Sequence, residues 1–231
     1  MTSTLRIISS MATRRLLNEY LAVFATRSPV IPVSLESVGG VEAARRVEAG
    51  DPFDLVVLAS GAIDKLVASG HLQPGSRVDL VTSPIAVAVP AGSTRPAIDN
   101  EEDVKRAVLA APTIGYSTGP SGDHLVRTFT RWGIADTIRD RTVQATPGIP
   151  VGSLVAKGDV ALGFQQLSEL MHVQGIDVLG LLPPAIQSLT TFSAGVPVTT
   201  TQPEQVQALL GFMRSAAVAE IARQNGMEPA P

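Results

Sequence analysis

The chain has 231 residues, of which 45% are hydrophobic and 17% charged, with a formal net charge of −3. The absence of a strongly basic run argues against a nucleic-acid partner and against a polybasic membrane-binding patch. Cysteine is absent and the three histidines, His71, His124 and His172, stand far apart, so disulfides, metal sites and other bound cofactors are not expected.

Residues 1–8 lack the charged start, apolar core and small-residue cleavage site of a secretory leader. Read as written, the chain is expected in the cytoplasm, or in the periplasm if a leader has been removed. No apolar run approaches the ~20 residues needed to cross a bilayer, so no membrane insertion is expected.

Residues 5–8 predict a strand. Ser9 and Ser10 follow, then an amphipathic helix over about 12–25. Residues 31–35 predict a second strand, followed by Ser37, Val38, Gly39 and Gly40 and a helix over 41–49. A buried-strand pattern at 53–58 leads to a short helix at 60–69. Further strands are expected at 85–89 and 113–116, and a helix at 101–110 capped by Asp99 or Asn100. The helix after residue 120 runs to about Trp132. A weak strand at 142–145, a helix at 151–157, a strand at 160–164 and a helical turn at 166–172 come next. Residues 176–182 and 190–198 are extended, and helices at about 203–214 and 216–224 close the chain. Such alternation predicts an α/β fold with largely parallel sheets covered by helices.

The stretch Thr113-Ile-Gly-Tyr-Ser-Thr-Gly-Pro-Ser-Gly-Asp-His124 carries the most information. An apolar run stops, a Gly/Ser/Thr-rich turn follows, and a helical pattern begins. The first backbone N–H groups of a helix lack intrahelical partners, and the helix dipole places partial positive charge there. Ser117, Thr118 and Ser121 add hydroxyls, while Gly119 and Gly122 let a ligand approach the backbone. That combination binds anions without a formal positive charge. It recurs after the first and second strands, at Ser9-Ser10 and Gly39-Gly40. Ligands in α/β folds sit beyond the carboxyl ends of strands, where all three junctions fall.

A fainter echo links Glu48-Ala-Gly-Asp-Pro-Phe-Asp-Leu-Val-Val with Val155-Ala-Lys-Gly-Asp-Val-Ala-Leu-Gly-Phe. Each reads as a helix end, a Gly-Asp turn and a buried strand. Asp51 and Asp54 fit structural roles in the first copy. No Gly-x-Ser-x-Gly, Walker A or Gly-x-Gly-x-x-Gly element has correct flanks.

In order and spacing these motifs resemble the type II periplasmic-binding-protein family, and within it the molybdate-binding (ModA-like) solute-binding proteins. The resemblance rests on Ser9-Ser10-Met-Ala, residues 46–59, residues 85–90, Ile114-Gly-Tyr-Ser with Gly119-Pro-Ser-Gly122, residues 160–164 and residues 219–228. It implies two α/β lobes, each a mainly parallel sheet flanked by helices, joined by a two-strand hinge. Lobe 1 would comprise residues 1–84 and 195–231, and lobe 2 residues 85–194. A small anion, either an oxyanion or a di- or tricarboxylate, would lie in the cleft between them.

The resemblance points to Ser10, Gly39, Gly40, Ser60, Ser121 and Gly122 as ligand-binding positions, and Ser9, Ser117 and Gln165 join them from the sequence. Gly39-Gly40 replaces the family's Ser-rich turn and leaves room for a larger ligand. Gln165-Gln166 replaces an aromatic residue and suits an organic carboxylate. If the chain is secreted, the expected partner is an ABC transporter permease. The alternative is an isomerase of an unsaturated carboxylic acid, resembling aconitate isomerase, for which His124, Tyr116 and Glu36 are the candidate bases.

Overall fold

The structure is a computed structural model describing residues 4–28, 31–146 and 148–231. Residues 1–3, where the leader pattern was sought, lie outside the described residues. The chain divides into two compact units, Met1–Thr82 with Thr191–Pro231, and Ser83–Thr190. The return to the first unit falls between Thr190 and Thr191, at the start of the strand formed by residues 190–195.

The elements run β1 (Leu5–Ser10), a 3-10 turn, α1 (Arg14–Arg27), β2 (Val33–Val38), α2 (Gly40–Glu48), β3 (Leu55–Ala59), α3 (Ser60–Ala68) and β4 (Val78–Ser83). The second unit continues with β5 (Ile85–Pro90), α4 (Glu101–Ala110), β6 (Ile114–Tyr116), α5 (Pro120–Arg131), α6 (Ala135–Ile138), β7 (Thr142–Gln144), α7 (Val151–Lys157), β8 (Leu162–Gln166), α8 (Leu167–Leu170) and β9 (Ile176–Leu181). The chain then returns through β10 (Thr190–Gly195), α9 (Pro203–Met213), α10 (Ala219–Gln224) and β11 (Glu228–Pro229). Neither β4 nor α6 was expected from sequence. The run Val-Asp-Leu-Val-Thr-Ser has a weak apolar pattern; β4 forms where β11 and β10 flank it in the sheet.

The sheet orders are β11-β4-β10-β3-β1-β2 and β7-β6-β8-β5-β9. In the first, β1 pairs in parallel with β2 and β3. In the second, β6 pairs in parallel with β7 and β8. Parallel neighbours need a crossover, usually a helix, and α1, α2, α5 and α7 lie in these connections. Strand β10, in which the chain returns to the first unit, and β5, the first strand wholly within the second, join antiparallel to β3 and β8. Each sheet is therefore mixed rather than mainly parallel, a parallel trio extended by antiparallel strands. Leaving aside β11, the two sheets repeat one order: β2-β1-β3-β10-β4 and β7-β6-β8-β5-β9.

The internal echo has a shared geometry. Gly50 and Gly158 follow α2 and α7 at φ +82° and +81°, the left-handed conformation glycine adopts without strain. The next N–H groups turn back identically, Asp51 to the Arg46 carbonyl at 3.1 Å and Asp159 to the Leu154 carbonyl at 3.0 Å.

Alternation of side chains covers both faces of each sheet. Leu5, Ile7, Leu55 and Val57 pack with Leu16, Leu17, Tyr20 and Phe24 of α1. Ile8, Val56 and Leu58 pack with Ala43 and Val47 of α2 and Ile63 and Leu66 of α3. In the second unit Val87, Ile114, Leu162 and Phe164 meet α4 and α5. On the opposite face Gly163 admits α7 so closely that a Cβ there would lie 2.5 Å from Val155 Cγ2.

Asp54, expected to be structural, is buried and fully engaged. It accepts from the Arg6 N–H at 2.9 Å, Thr200 Oγ1 at 2.7 Å and Gln202 Nε2 at 3.3 Å. It thereby anchors the segment entering α9 to the start of β1. Asp54→Ala should destabilise the protein by about 3 kcal/mol, because buried donors lose a charged acceptor; denaturant unfolding measures it, and a loss below ~1 kcal/mol would refute this role.

Candidate functional site

Strands β1, β2 and β3 run in parallel, with Ser9 opposite Ser37 and Val57 and Ser10 opposite Val38. Their carboxyl ends therefore share one edge of the sheet, and the chain enters a helix from each. Ser10 precedes the turn into α1, Gly39 and Gly40 open α2, and Ser60 opens α3. Sequence-predicted positions from three separate segments thus gather at one edge of the first unit.

Local bonding shows which of these groups remain free. Ser9 is fully buried and bonds to Ser37 Oγ at 2.8 Å and to the Ser10 carbonyl at 3.2 Å. Thr13 donates to that same carbonyl at 3.2 Å. Ser10 is 8% exposed, yet its buried Oγ has no hydrogen-bond partner. A Cβ placed on Gly40 would meet only the Ser10 Cβ, at 3.8 Å. Gly39 has φ −58° and ψ 140°, open to any residue. Neither φ nor close packing requires glycine at Gly40, yet its lack of a side chain leaves the space beside Ser10 open.

In the second unit, β6, β7 and β8 also end at one edge. The register of Tyr116 with Phe164 brings Ser117 level with Gln165 on the neighbouring strand. Ser117 Oγ bonds to Ser121 Oγ at 2.9 Å and accepts from the Gly119 N–H at 3.3 Å. Ser121 is 2% exposed. Gly122 is held by sterics, since a Cβ there would lie 1.7 Å from the Ser117 carbonyl oxygen. Tyr116 lies partly buried against the unit's core, its ring near Gly122.

Gln165 and Gln166 lie inside β8, not after it, because the strand extends two residues past the expected end. Gln165 is 2% exposed, accepts from the Gly152 N–H of α7 at 3.3 Å and donates to Glu169 Oε1 at 2.8 Å. Gln166 bonds to Thr190 Oγ1 at 2.7 Å and, in the amide orientation that satisfies both ends, donates to the Ser83 carbonyl at 3.0 Å. It thus ties together the first and last residues of the second unit.

The candidate bases differ in their engagement. Glu36 pairs with Arg46, which also holds Asp51 at 2.8 Å; it sits within β2, away from the strand ends. His124 Nε2 lies 2.8 Å from the Ile186 carbonyl oxygen. A carbonyl only accepts, so Nε2 is the donor in this contact.

Glu169 escaped the sequence reading. Burial pushes its carboxyl up to about 7, and the hydrogen bond from Gln165 opposes that rise. An acidic residue in a four-residue helix has no periodic signature of burial; its position three residues after Gln166 was the one available signal. The neighbouring Ser168 Oγ is buried and unpartnered. Among the described residues no group of His, Asp and Glu side chains could hold a metal ion.

Comparison with known proteins places this geometry. Residues 5–228 match the model for the bacterial extracellular solute-binding protein family. The chain belongs to this family. A family relative from Pseudomonas sp., named aconitate isomerase, is 38% identical over 187 residues, covering 80% of this chain and 71% of that protein. The fold matches the Azotobacter vinelandii periplasmic molybdate-binding protein with a TM-score of 0.81 at 20% identity, over 98% of this chain and 99% of that one. It matches the sulfate-binding protein of Mycobacterium tuberculosis with a TM-score of 0.78 at 14% identity, over 99% of this chain and 87% of that one. The ModA-like, type II periplasmic-binding-protein resemblance is thereby confirmed as the fold of this family member. No helix among the described residues is long and apolar enough to cross a membrane.

Two measurements follow. Gly122→Ala should cost about 3 kcal/mol, because backbone must move to admit the Cβ, whereas Gly61→Ala, with open space around it, should change stability by less than ~1 kcal/mol; equal effects would contradict this geometry. For Glu169, a raised folded-state pKa means that the folded protein binds more protons than the unfolded chain between about pH 4.5 and about 7. Its contribution is therefore complete below that window and is lost as pH rises through about 7. Urea titrations of wild type and Glu169→Gln across pH 5–8 should show a fall in stability of roughly 2–3 kcal/mol that the variant lacks. Parallel pH profiles would exclude a buried, neutral Glu169.

Proposed function

We propose that this protein captures a small anionic solute, in the di- or tricarboxylate class, on the uncharged donors at the strand ends of its two units. Ser10, Gly39, Gly40 and Ser60 serve in the first unit, and Ser117, Ser121 and Gly122 in the second, with Ser9 and Gln165 holding the surrounding donors in place. The observation that carries this reading is the buried Ser10 hydroxyl with no partner beside the open space at Gly40. Buried hydroxyls are normally satisfied, and here a ligand oxygen would satisfy it. Helix starts add backbone N–H groups and dipole charge. The open space at Gly40 favours an extended carboxylate over a compact tetrahedral oxyanion. As a secreted member of its family, the protein would deliver this solute to an ABC transporter permease.

A second reading is favoured by the relative named aconitate isomerase, 38% identical across 80% of the chain. In this reading the bound unsaturated carboxylate is also isomerised, and the same donors stabilise the enolate-like charge that develops.

Isothermal titration with sulfate, molybdate, citrate, cis-aconitate and trans-aconitate separates the ligand classes. A carboxylate should bind most tightly, and Ser10→Ala should weaken it at least ~10-fold, the value of one lost hydrogen bond to a charged group. Preference for molybdate or sulfate would overturn the carboxylate class, and unchanged affinity in Ser10→Ala would remove Ser10 from the site. NMR of either aconitate with the protein reports isomerisation directly.

A further inference from the structure

We propose that Glu169 is the proton-transfer group for isomerisation of an unsaturated tricarboxylate held at the Ser117–Ser121 turn. The proposal rests on the isomerase reading above and names its base. Isomerisation by double-bond migration needs one group that removes a proton from the methylene carbon and returns it to the far alkene carbon. The C–H electron pair becomes the new C=C bond, the old π pair takes the proton at the far carbon, and no other reactant is consumed. Between the two transfers the charge spreads onto the conjugated carboxylate.

The geometry singles out Glu169. It stands on α8, which begins directly at the carboxyl end of β8. Its carboxyl bonds to Gln165, which follows Phe164, the residue registered with Tyr116 at the end of β6, just before Ser117. The base and the donor turn thus follow the carboxyl ends of two neighbouring parallel strands, β8 and β6. Gln165 is itself immobilised through the Gly152 N–H, so its amide presents a fixed donor to Glu169. The adjoining unpartnered Ser168 hydroxyl marks a polar position at this edge that no protein group fills.

The other candidates are placed less well. Glu36 is neutralised by Arg46 within the first unit's sheet, and His124 is bound through Nε2 to the Ile186 carbonyl. A carboxyl whose proton affinity lies near neutrality, as burial arranges for Glu169, can both accept and return a proton at working pH. The α5 N-terminus beside Ser121 stabilises the negative charge that appears between the steps.

The test compares wild type, Glu169→Gln and Glu169→Asp for aconitate interconversion by NMR and for aconitate affinity by titration. Glu169→Gln keeps the hydrogen-bonding shape and removes the exchangeable acid. It should lose at least ~100-fold in kcat while the Kd for trans-aconitate changes less than ~3-fold, consistent with a role in chemistry rather than capture. Glu169→Asp, which keeps the acid but withdraws it by one methylene, should lose ~10-fold or more in kcat and decides the question should the Gln variant not fold. Turnover within a few-fold of wild type in either folded variant overturns the assignment of Glu169 while leaving the isomerase reading intact. Tight aconitate binding by wild type with no interconversion overturns the isomerase reading and this proposal together.

Discussion

Parallel pairing of three strands at one end of each sheet is the constraint from which the rest follows. When β1, β2 and β3 run the same way, their carboxyl ends must reach one edge together. Each connection must then leave that edge, and three of the departing segments begin helices there. Unpaired N–H groups of separate helices are gathered by topology alone, with no cation required. The same rule operates on β6, β7 and β8 in the second unit. A chain of net charge −3 can in this way present local electropositive surfaces built from backbone.

The two edges are finished differently. In the first unit a buried hydroxyl is left without a partner and glycine keeps the neighbouring space open. In the second, Ser117 and Ser121 are paired with each other, and Gly122 is demanded by the carbonyl beneath it. One set offers an unsatisfied donor, whereas the other offers a preorganised turn. On the strand next to that turn, β8 leads into a half-buried carboxyl, Glu169, whose proton affinity burial raises. Capture needs only the donors; proton transfer needs in addition a group of matched acidity. Donors can stand beside such a group on a solute-binding fold, and the family model that matches this chain and a relative named as an isomerase are found together.

Several residues that attract attention in sequence prove to serve the scaffold. Asp54 secures the entry to α9, and Arg46 gathers Glu36 and Asp51. Gln166 braces the ends of the second unit through Thr190 and Ser83. These bonds hold the strand ends in register, and the helix starts inherit their positions from that register.

The alternation of apolar runs, Ser/Gly junctions and helical patterns was sufficient to establish the α/β class and to place Ser10, Gly40 and Ser121 at strand-to-helix junctions, because turn chemistry and helix starts are local properties of the chain. The left-handed glycines Gly50 and Gly158 were legible for the same reason, as a repeated Gly-Asp turn. Strand β4 was not, since its weak pattern becomes a strand through β11 and β10, which arrive from more than a hundred residues away. Whether a hydroxyl is satisfied is equally non-local: Ser9 finds Ser37 while Ser10 next to it finds nothing. Glu169 shows the limit most clearly. Its identity is written in the chain, but its acidity is set by the loss of water around it, and burial is a property of packing that only the tertiary structure decides.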